Sequence, residues 1–371
     1  MFKFRPVVHS CIKWSRFCST SAGIVAGTRV PLPQSAFLQV SGPDTIKFLQ
    51  GLCTNELSVM GSFGACLPNA LLTSKGRLFA GSIMYTNSAD EPSLVIEVHQ
   101  SIKIELQRYL SMYKLRSKVK LVQLEAEAVF TPTTLTASQL SELHADSSVI
   151  VAALDPRLEG FGSRIVYTKS PASTAPGAEN EAWYDRYKLL HGFADGPELA
   201  NRIPLECNLD QLNYISFKKG CYIGQELTAR TKFKGLVRKR LVPFLVAPDG
   251  SVRTTQNAGP LEPLPQSVFE QVLSGAFVPA AALAVGSKVF SATTPQGKSI
   301  GEVVHLDASG SVGLVMMNIA ALESAGAENF IVRKPTDAND AGEEQEQSEG
   351  ESSDTEAYIS TFKPAWFQLT V

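Results

Sequence analysis

Between Lys218 and Arg230 the chain reads Lys-Lys-Gly-Cys-Tyr-Ile-Gly-Gln-Glu-Leu-Thr-Ala-Arg, a single thiol behind two lysines and between two glycines. Positive charge beside a cysteine favours the thiolate, the form that attacks electrophiles and binds metals. Apolar burial acts the other way, and a packed free cysteine behaves as a small hydrophobe. The local sequence leaves both outcomes open for Cys221. Gly220 and Gly224 suit a turn with unusual dihedrals or a close backbone approach, so the thiol can be presented on a tight turn. Gln225 and Glu226 are placed to hydrogen-bond that turn, or only to hold its shape. Lys218, Lys219 and Arg230 offer positive charge to a thiolate, a metal cluster or an anionic ligand.

The remaining cysteines, Cys11, Cys18, Cys53, Cys66 and Cys207, form no CxxC pair with one another or with Cys221, and the five histidines form no metal-spaced pair. That argues against a disulfide framework and a self-contained zinc or iron–sulfur site. One cysteine cannot hold a cluster that normally takes four ligands, so cluster chemistry at Cys221 requires ligands from a second chain. Glu56, Glu206, Asp210 and Glu226 are available for acid–base work, but spacing singles out none of them.

With 371 residues, 44% hydrophobic and 19% charged, the chain suits two or three domains. No run approaches the length of a membrane span. The first 43 residues lack Asp and Glu, and Lys3, Arg5, Lys13 and Arg16 alternate with apolar residues among Ser and Thr. This predicts a mitochondrial transit peptide over residues 1–22, with Arg16-Phe17-Cys18-Ser19 as a matrix-protease context. Removing residues 1–18 deletes four basic groups and no acidic one, taking the formal charge from −2 to −6. Bulk charge therefore weighs against nucleic-acid binding.

The elements that must position the thiol can be read from periodicity. Residues 36–40 read as a strand, followed by a helix with Pro43 at its first position and Gly51 at its end. Residues 65–72 and 77–86 read as a hairpin around Ser74-Lys75-Gly76, 94–98 as a strand, 100–113 as a helix and 119–121 as an edge strand. That order describes an α+β plait with helices on one sheet face. Residues 126–182 are weakly patterned around a Ser/Thr/Pro tract at 168–178, and a helix at 179–191 follows with Trp183, Tyr187 and Leu190 as core. After Arg240, short strands at 241–246, 286–291, 299–306, 312–317, 329–333 and 365–371 suit a small antiparallel barrel. Two inserts decorate it: a surface excursion at 248–284, and a stretch at 337–356 with nine acidic groups and no basic one, expected to be a solvated loop.

Lys219, Gly220, Cys221, Tyr222, Gly224, Gln225 and Glu226 match the Lys-Gly-Cys-Tyr/Phe-x-Gly-Gln-Glu signature without a gap. By this signature the chain resembles the iron–sulfur, YgfZ-type branch of the folate-binding, glycine-cleavage T-protein-like family and its mitochondrial relatives. Phe48-Leu49-Gln50-Gly51 with Thr54-Asn55-Glu56 is similar to the family's FLQG…TND element, with Glu56 where Asp is commoner. Ser74-Lys75-Gly76-Arg77 resembles its KGR hairpin, and Tyr113 to Val119 its YxLRxKV stretch. Ile203-Pro204-Leu205-Glu206 with Asn208-Leu209-Asp210 resembles the lead into the cysteine motif, and Gly301-Glu302-Val303 and Gly313-Leu314-Val315 fit the terminal barrel.

The resemblance implies an α+β, three-domain T-protein-like arrangement around a central funnel, with a C-terminal antiparallel β-barrel. Domain 1 would be discontinuous, 27–125 plus 190–236, with 126–189 as domain 2 and 237–371 as the barrel. It also implies a mitochondrial-matrix iron–sulfur cluster assembly factor that works with A-type carrier proteins to mature [4Fe–4S] proteins such as aconitase and radical-SAM enzymes like lipoate synthase. Cys221 would ligate iron in a cluster shared transiently with the partner. Tetrahydrofolate would be a second ligand, its glutamate tail met by the basic residues, with Asn55, Arg77 and Glu206 as further contacts and a pocket lined from domains 1 and 2. The alternative is a folate-dependent aminomethyltransferase-like enzyme, which needs a carboxylate near the pteridine but has no need of the cysteine signature.

Overall fold

The first half of the chain builds one antiparallel sheet with helices on one of its faces. The structure, a computed structural model, describes residues 29–61, 63–88, 91–169, 178–246, 263–277, 279, 283–324, 330–333 and 356–369. The expected leader at 1–22, nearly all of the acidic insert and most of the 168–178 tract lie outside these residues. After a short strand β1 (Val30–Pro31) come β2 (Ser35–Ser41), helix α1 (Thr45–Gln50), the hairpin β3 (Cys66–Leu72) and β4 (Leu78–Thr86), then β5 (Ser93–His99), α2 (Lys103–Lys114) and β6 (Lys120–Leu124). The sheet order is β3-β4-β5-β2-β6, antiparallel throughout. Side chains alternate faces along a strand. Leu94, Ile96 and Val98 therefore meet Phe48, Leu49, Leu106 and Leu110 of the two helices, while Tyr85 and Val95 turn into a core shared with the rest of the molecule. Glu97 shares that second face.

Helix α1 starts later than its proline suggests. Thr45 is its first residue and Asp44 its N-cap, which leaves Pro43 outside the helix. The Asp44 carboxylate reaches across to accept from the Lys118 backbone N–H at 2.7 Å rather than capping its own helix. Gly42, at φ +126°, passes so close to Lys118 that a Cβ would lie 2.4 Å from its carbonyl oxygen. The entry to α1 is thus pinned by the chain after α2.

The weakly patterned region forms β7 (Glu127–Thr131), α3 (Ala137–His144), β8 (Val149–Leu154) and β9 (Ser163–Tyr167), giving a second sheet in the order β1-β7-β9-β8. A capping box between Thr136 and Gln139 starts α3. Helix α4 (Ala178–Leu190) matches the expected 179–191, with Tyr187 and Leu190 buried and Trp183 partly so. The chain then runs through turns to α5 (Gln225–Phe233). Along the way Leu205, Leu209, Leu212 and Tyr214 bury in the shared core, and Thr54 Oγ1 donates to the Tyr214 carbonyl at 2.6 Å.

The C-terminal strands close into a barrel ordered β10-β13-β12-β11-β14-β15: β10 (Lys239–Val246), β11 (Lys288–Ser291), β12 (Gly301–Leu306), β13 (Val312–Asn318), β14 (Phe330–Arg333) and β15 (Glu356–Thr361). Val242, Phe244, Val289, Val303, Val315, Phe330 and Ile359 fill it. Two expectations are corrected. The last strand lies at 356–361 instead of 365–371, because Ile359 and Thr361 supply the inward positions that close the ring against Val246 and Phe244. The chain beyond it is a staple: Trp366 Nε1–H donates to the His191 carbonyl at 2.9 Å and the Gln368 N–H to Gln211 Oε1 at 2.8 Å. The insert 248–284 is not wholly a surface excursion either. It contains α6 (Gln266–Leu273), whose Val272 and Leu273 bury in the shared core against α4. A further helix, α7 (Ile319–Ser324), follows β13. No described helix is long and apolar enough to cross a membrane.

Candidate functional site

The segment before α5 is held against the turn that ends α1. Lys219 Nζ donates to the carbonyl oxygens of Gln50 at 2.7 Å, Cys53 at 2.6 Å and Asn55 at 2.9 Å, with the Tyr222 ring 4.9 Å away on another side. The Ile223 N–H donates to the Gly51 carbonyl at 3.0 Å, and its side chain packs among the residues under α1. Gln225 Oε1 accepts from the Tyr222 N–H at 3.1 Å, closing the loop from within. Gly224 then caps α5 in the left-handed region at φ +78°. A Cβ there would lie 2.5 Å from Thr73 O and 3.0 Å from the Cα of Gly76, which is itself left-handed at φ +74°. The two glycines let the KGR hairpin turn touch the start of α5.

Between these anchors Cys221 is exposed. The other described cysteines are not presented to solvent in this way. Burial pushes the Cys53 thiol up to about 11 and the Cys207 thiol up to about 12, and it raises Cys66 well above the usual range. Such thiols stay protonated at neutral pH and are poor ligands. Among the described residues no group of three or more His, Cys, Asp or Glu side chains is arranged to hold a metal ion.

Several expectations about this loop change. Lys219 spends its donors on three carbonyls, and burial lowers its ammonium from the usual lysine range. Gly220 has room for a side chain, since nothing lies within 4 Å of a Cβ built there. Gln225 holds the loop, whereas Lys218, Glu226 and Arg230 are exposed.

The structure brings none of the sequence-derived residues into its central cavity. Asn55 is buried, its amide donating to the carbonyls of Pro68 at 2.9 Å and Asn213 at 2.6 Å. Glu56 caps a 3₁₀ turn and accepts from Gln50. Asp210 pairs with the buried Arg240 at 2.7 Å. Arg77 donates to the Asn201 carbonyl at 3.3 Å, and burial raises the half-buried Glu206 carboxyl. The cavity, about 400 Å³, lies between the two sheets, α4 and the barrel, lined among others by Ser35, Glu97, Arg157, Arg164, Asp185 and His305.

Within that lining runs an ionic network that the motifs do not contain. Arg164 pairs with Glu97, which also accepts from Tyr85 Oη at 2.5 Å and Ser35 Oγ at 2.6 Å. Arg157 donates to Asp155 and Asp195, each at 2.6 Å. Burial alone would raise the Asp155 carboxyl, but Arg157 and Arg164 outweigh it and hold it below the usual range. Asp195 is lowered in the same way, against its burial, by Lys188 and Arg157. At the barrel side His305 meets Asp185 at 3.1 Å, which raises the imidazole against its own burial. A sequence signal did exist: Glu97 and Arg164 are lone, opposite charges inside apolar strand runs, and buried charges need partners.

No protein-family model matches the chain. It is 31% identical over 341 residues to the mitochondrial iron–sulfur cluster assembly factor IBA57 homologue of Neurospora crassa, covering 83% of this chain and 73% of that one. It is 37% identical over 249 residues to the mitochondrial iron–sulfur cluster assembly factor IBA57 of Mus musculus, covering 61% and 68%. Among solved structures, the glycine cleavage system aminomethyltransferase T from Bartonella henselae superposes with a TM-score of 0.58 over 92% of this chain and 86% of that chain, at 11% identity. That likeness bears on the fold alone: a T-protein-like architecture with the barrel at its C-terminal end. The sequence relatives decide the rest, and the chain belongs to the family of mitochondrial iron–sulfur cluster assembly factors named IBA57.

Proposed function

We propose that this protein is a matrix assembly factor for [4Fe–4S] proteins such as aconitase and the radical-SAM enzymes, and that Cys221 supplies one thiolate to a cluster shared with an A-type carrier. The observation that carries this reading is the exposed Cys221 on a loop anchored at both ends, in a chain whose Cys53 and Cys207 are buried with raised thiols. A thiol so placed is rigidly presented yet open to a second protein, which is what a ligand from only one side of a cluster requires. The cluster is cargo, and the protein's part is to orient the sulfur. Anaerobic reconstitution of the protein with an A-type carrier tests this, read by absorption and Mössbauer spectra. Cys221→Ser should leave the melting temperature unchanged, abolish the bridged cluster and impair aconitase maturation. Wild-type cluster content in that variant refutes the ligand role.

A second ligand, reduced folate, is favoured by the central cavity. Its volume is in the range of small-molecule sites, and it mixes apolar walls with convergent polar groups such as Lys188, Asp185 and His305. Glu97 already accepts from three side chains, so it is poorly placed to act as a catalytic base. The cavity therefore fits binding better than aminomethyl transfer. Calorimetric titration with tetrahydrofolate should give heat that Lys188→Met diminishes; no heat at millimolar ligand refutes it.

A further inference from the structure

The turn after α2 breaks a local rule in a way neither the fold nor the thiol explains. The Ser117 N–H donates to the Lys114 carbonyl at 2.8 Å, closing a turn whose second residue is Leu115, at φ 45° and ψ −114°. These are the angles of a type II′ turn, where that position ordinarily falls to Gly, Asn or Asp. Leu115 instead carries a branched side chain that is 85% exposed, so packing does not compensate for the conformation. Local rules broken without an evident structural gain mark functional positions.

Leu115 lines an open groove of about 710 Å³ with Tyr113, Phe48, Leu52, Lys47 and Arg116. Its floor is apolar, since Phe48 and Leu52 are buried residues of the α1 region. Its rim is basic. Lys47 and Arg116 line the rim, exposed and in no ion pair among the described residues; they outnumber the one carboxylate that lines it, Asp44, which accepts from the Lys118 N–H at 2.7 Å, and the exposed Lys118 adds a further cation beside the groove. Gly51 also lines the groove, and its carbonyl accepts from Ile223, two residues past Cys221. The loop that carries the thiol is thereby bonded to a residue of the groove wall. On a chain of net charge −2 this basic, apolar-floored patch is complementary to an acidic protein segment with a bulky apolar side chain. A nucleic acid would satisfy the rim but leave the aliphatic Leu115 without a complement.

We propose that this groove docks the cluster-carrying partner: an acidic segment lays an apolar side chain against Leu115 and so brings the partner's thiols beside Cys221. This rests on the shared-cluster reading above, and the test separates the two. Binding of the full chain to an apo A-type carrier is measured by calorimetry at two salt concentrations. Leu115→Gly should weaken binding about tenfold or more, as expected for losing a buried leucine contact, while the melting temperature stays level or rises because glycine relieves the turn. The double variant Lys47→Glu, Arg116→Glu should weaken binding and flatten its salt dependence. Wild-type affinity in Leu115→Gly overturns the groove, and if Cys221→Ser still loses the cluster the ligand reading survives. Affinity lost together with a drop in melting temperature makes Leu115 a packing residue and also overturns the proposal. So does a groove-dependent affinity for single-stranded RNA without affinity for the carrier.

Discussion

Replacing Lys219 with methionine separates a chemical role for this lysine from a mechanical one. The ammonium donates to three carbonyls at 2.6–2.9 Å. A hydrogen bond to a charged group contributes ~1.5–3 kcal/mol. Lys219 is only half-buried, so water re-solvates part of what is lost, and ~3 kcal/mol is a reasonable net cost after that discount. Methionine keeps the apolar stem against Tyr222, which confines the change to the ammonium. For a chain of 371 residues a kcal/mol corresponds to about 1.3 °C, so the melting temperature should fall by roughly 4 °C. Amide exchange should accelerate at Gly51–Asn55 and at Ile223, the two sides of the staple. Cys221→Ser, at an exposed position, should melt within about 0.5 kcal/mol of wild type. Lys219→Arg should not rescue, because a planar fork cannot point three donors at converging carbonyls. If Lys219→Met melts like wild type yet loses the bridged cluster, the lysine acts on the thiol after all and the staple argument fails.

Gly224→Ala should destabilise by ~3 kcal/mol or more, through its positive φ and a Cβ driven onto the Thr73 carbonyl, whereas Gly220→Ala should stay within about 0.5 kcal/mol; equal melting curves for the two would refute the close approach of the hairpin. His191 gives a pH prediction. Burial lowers its imidazole to about 4, from 6.5 in the unfolded chain, and its neutral Nδ1–H donates to the Tyr187 carbonyl at 2.7 Å. The unfolded state therefore takes up the proton first, and stability is present above pH ~6.5 and lost as pH falls toward 4, by ~2–3 kcal/mol. His191→Gln should flatten that limb of the urea-denaturation profile, and an unchanged slope would refute it.

Local signals carried much of this protein. Period-two and helical spacing placed the hairpin around Gly76, the strand at 94–98 and a helix at 100–113, found at 103–114 behind a 3₁₀ turn, because those segments bury one face each and their pattern records which. The Thr136-x-x-Gln139 capping box went unread, because it sits in a stretch whose hydrophobic pattern is weak. The closing strand was placed too late, since 365–369 is as apolar as a strand but is consumed by contacts to His191 and Gln211.

The cysteine motif, read alone, pointed to the family and to an exposed thiol, because a cysteine between two glycines and ahead of a loop-closing glutamine is a local construction. What Lys219 does was beyond the sequence: its three acceptors lie more than 160 residues away, and only the docking of the loop before α5 against the turn after α1 brings this ammonium to them. The ionic network of Glu97, Arg157, Arg164 and Asp195 was likewise a tertiary decision. Each charge looks like an anomaly in its own strand or turn, and becomes intelligible only when two sheets and a helix bring opposite signs together around one cavity, where they are largely withdrawn from water.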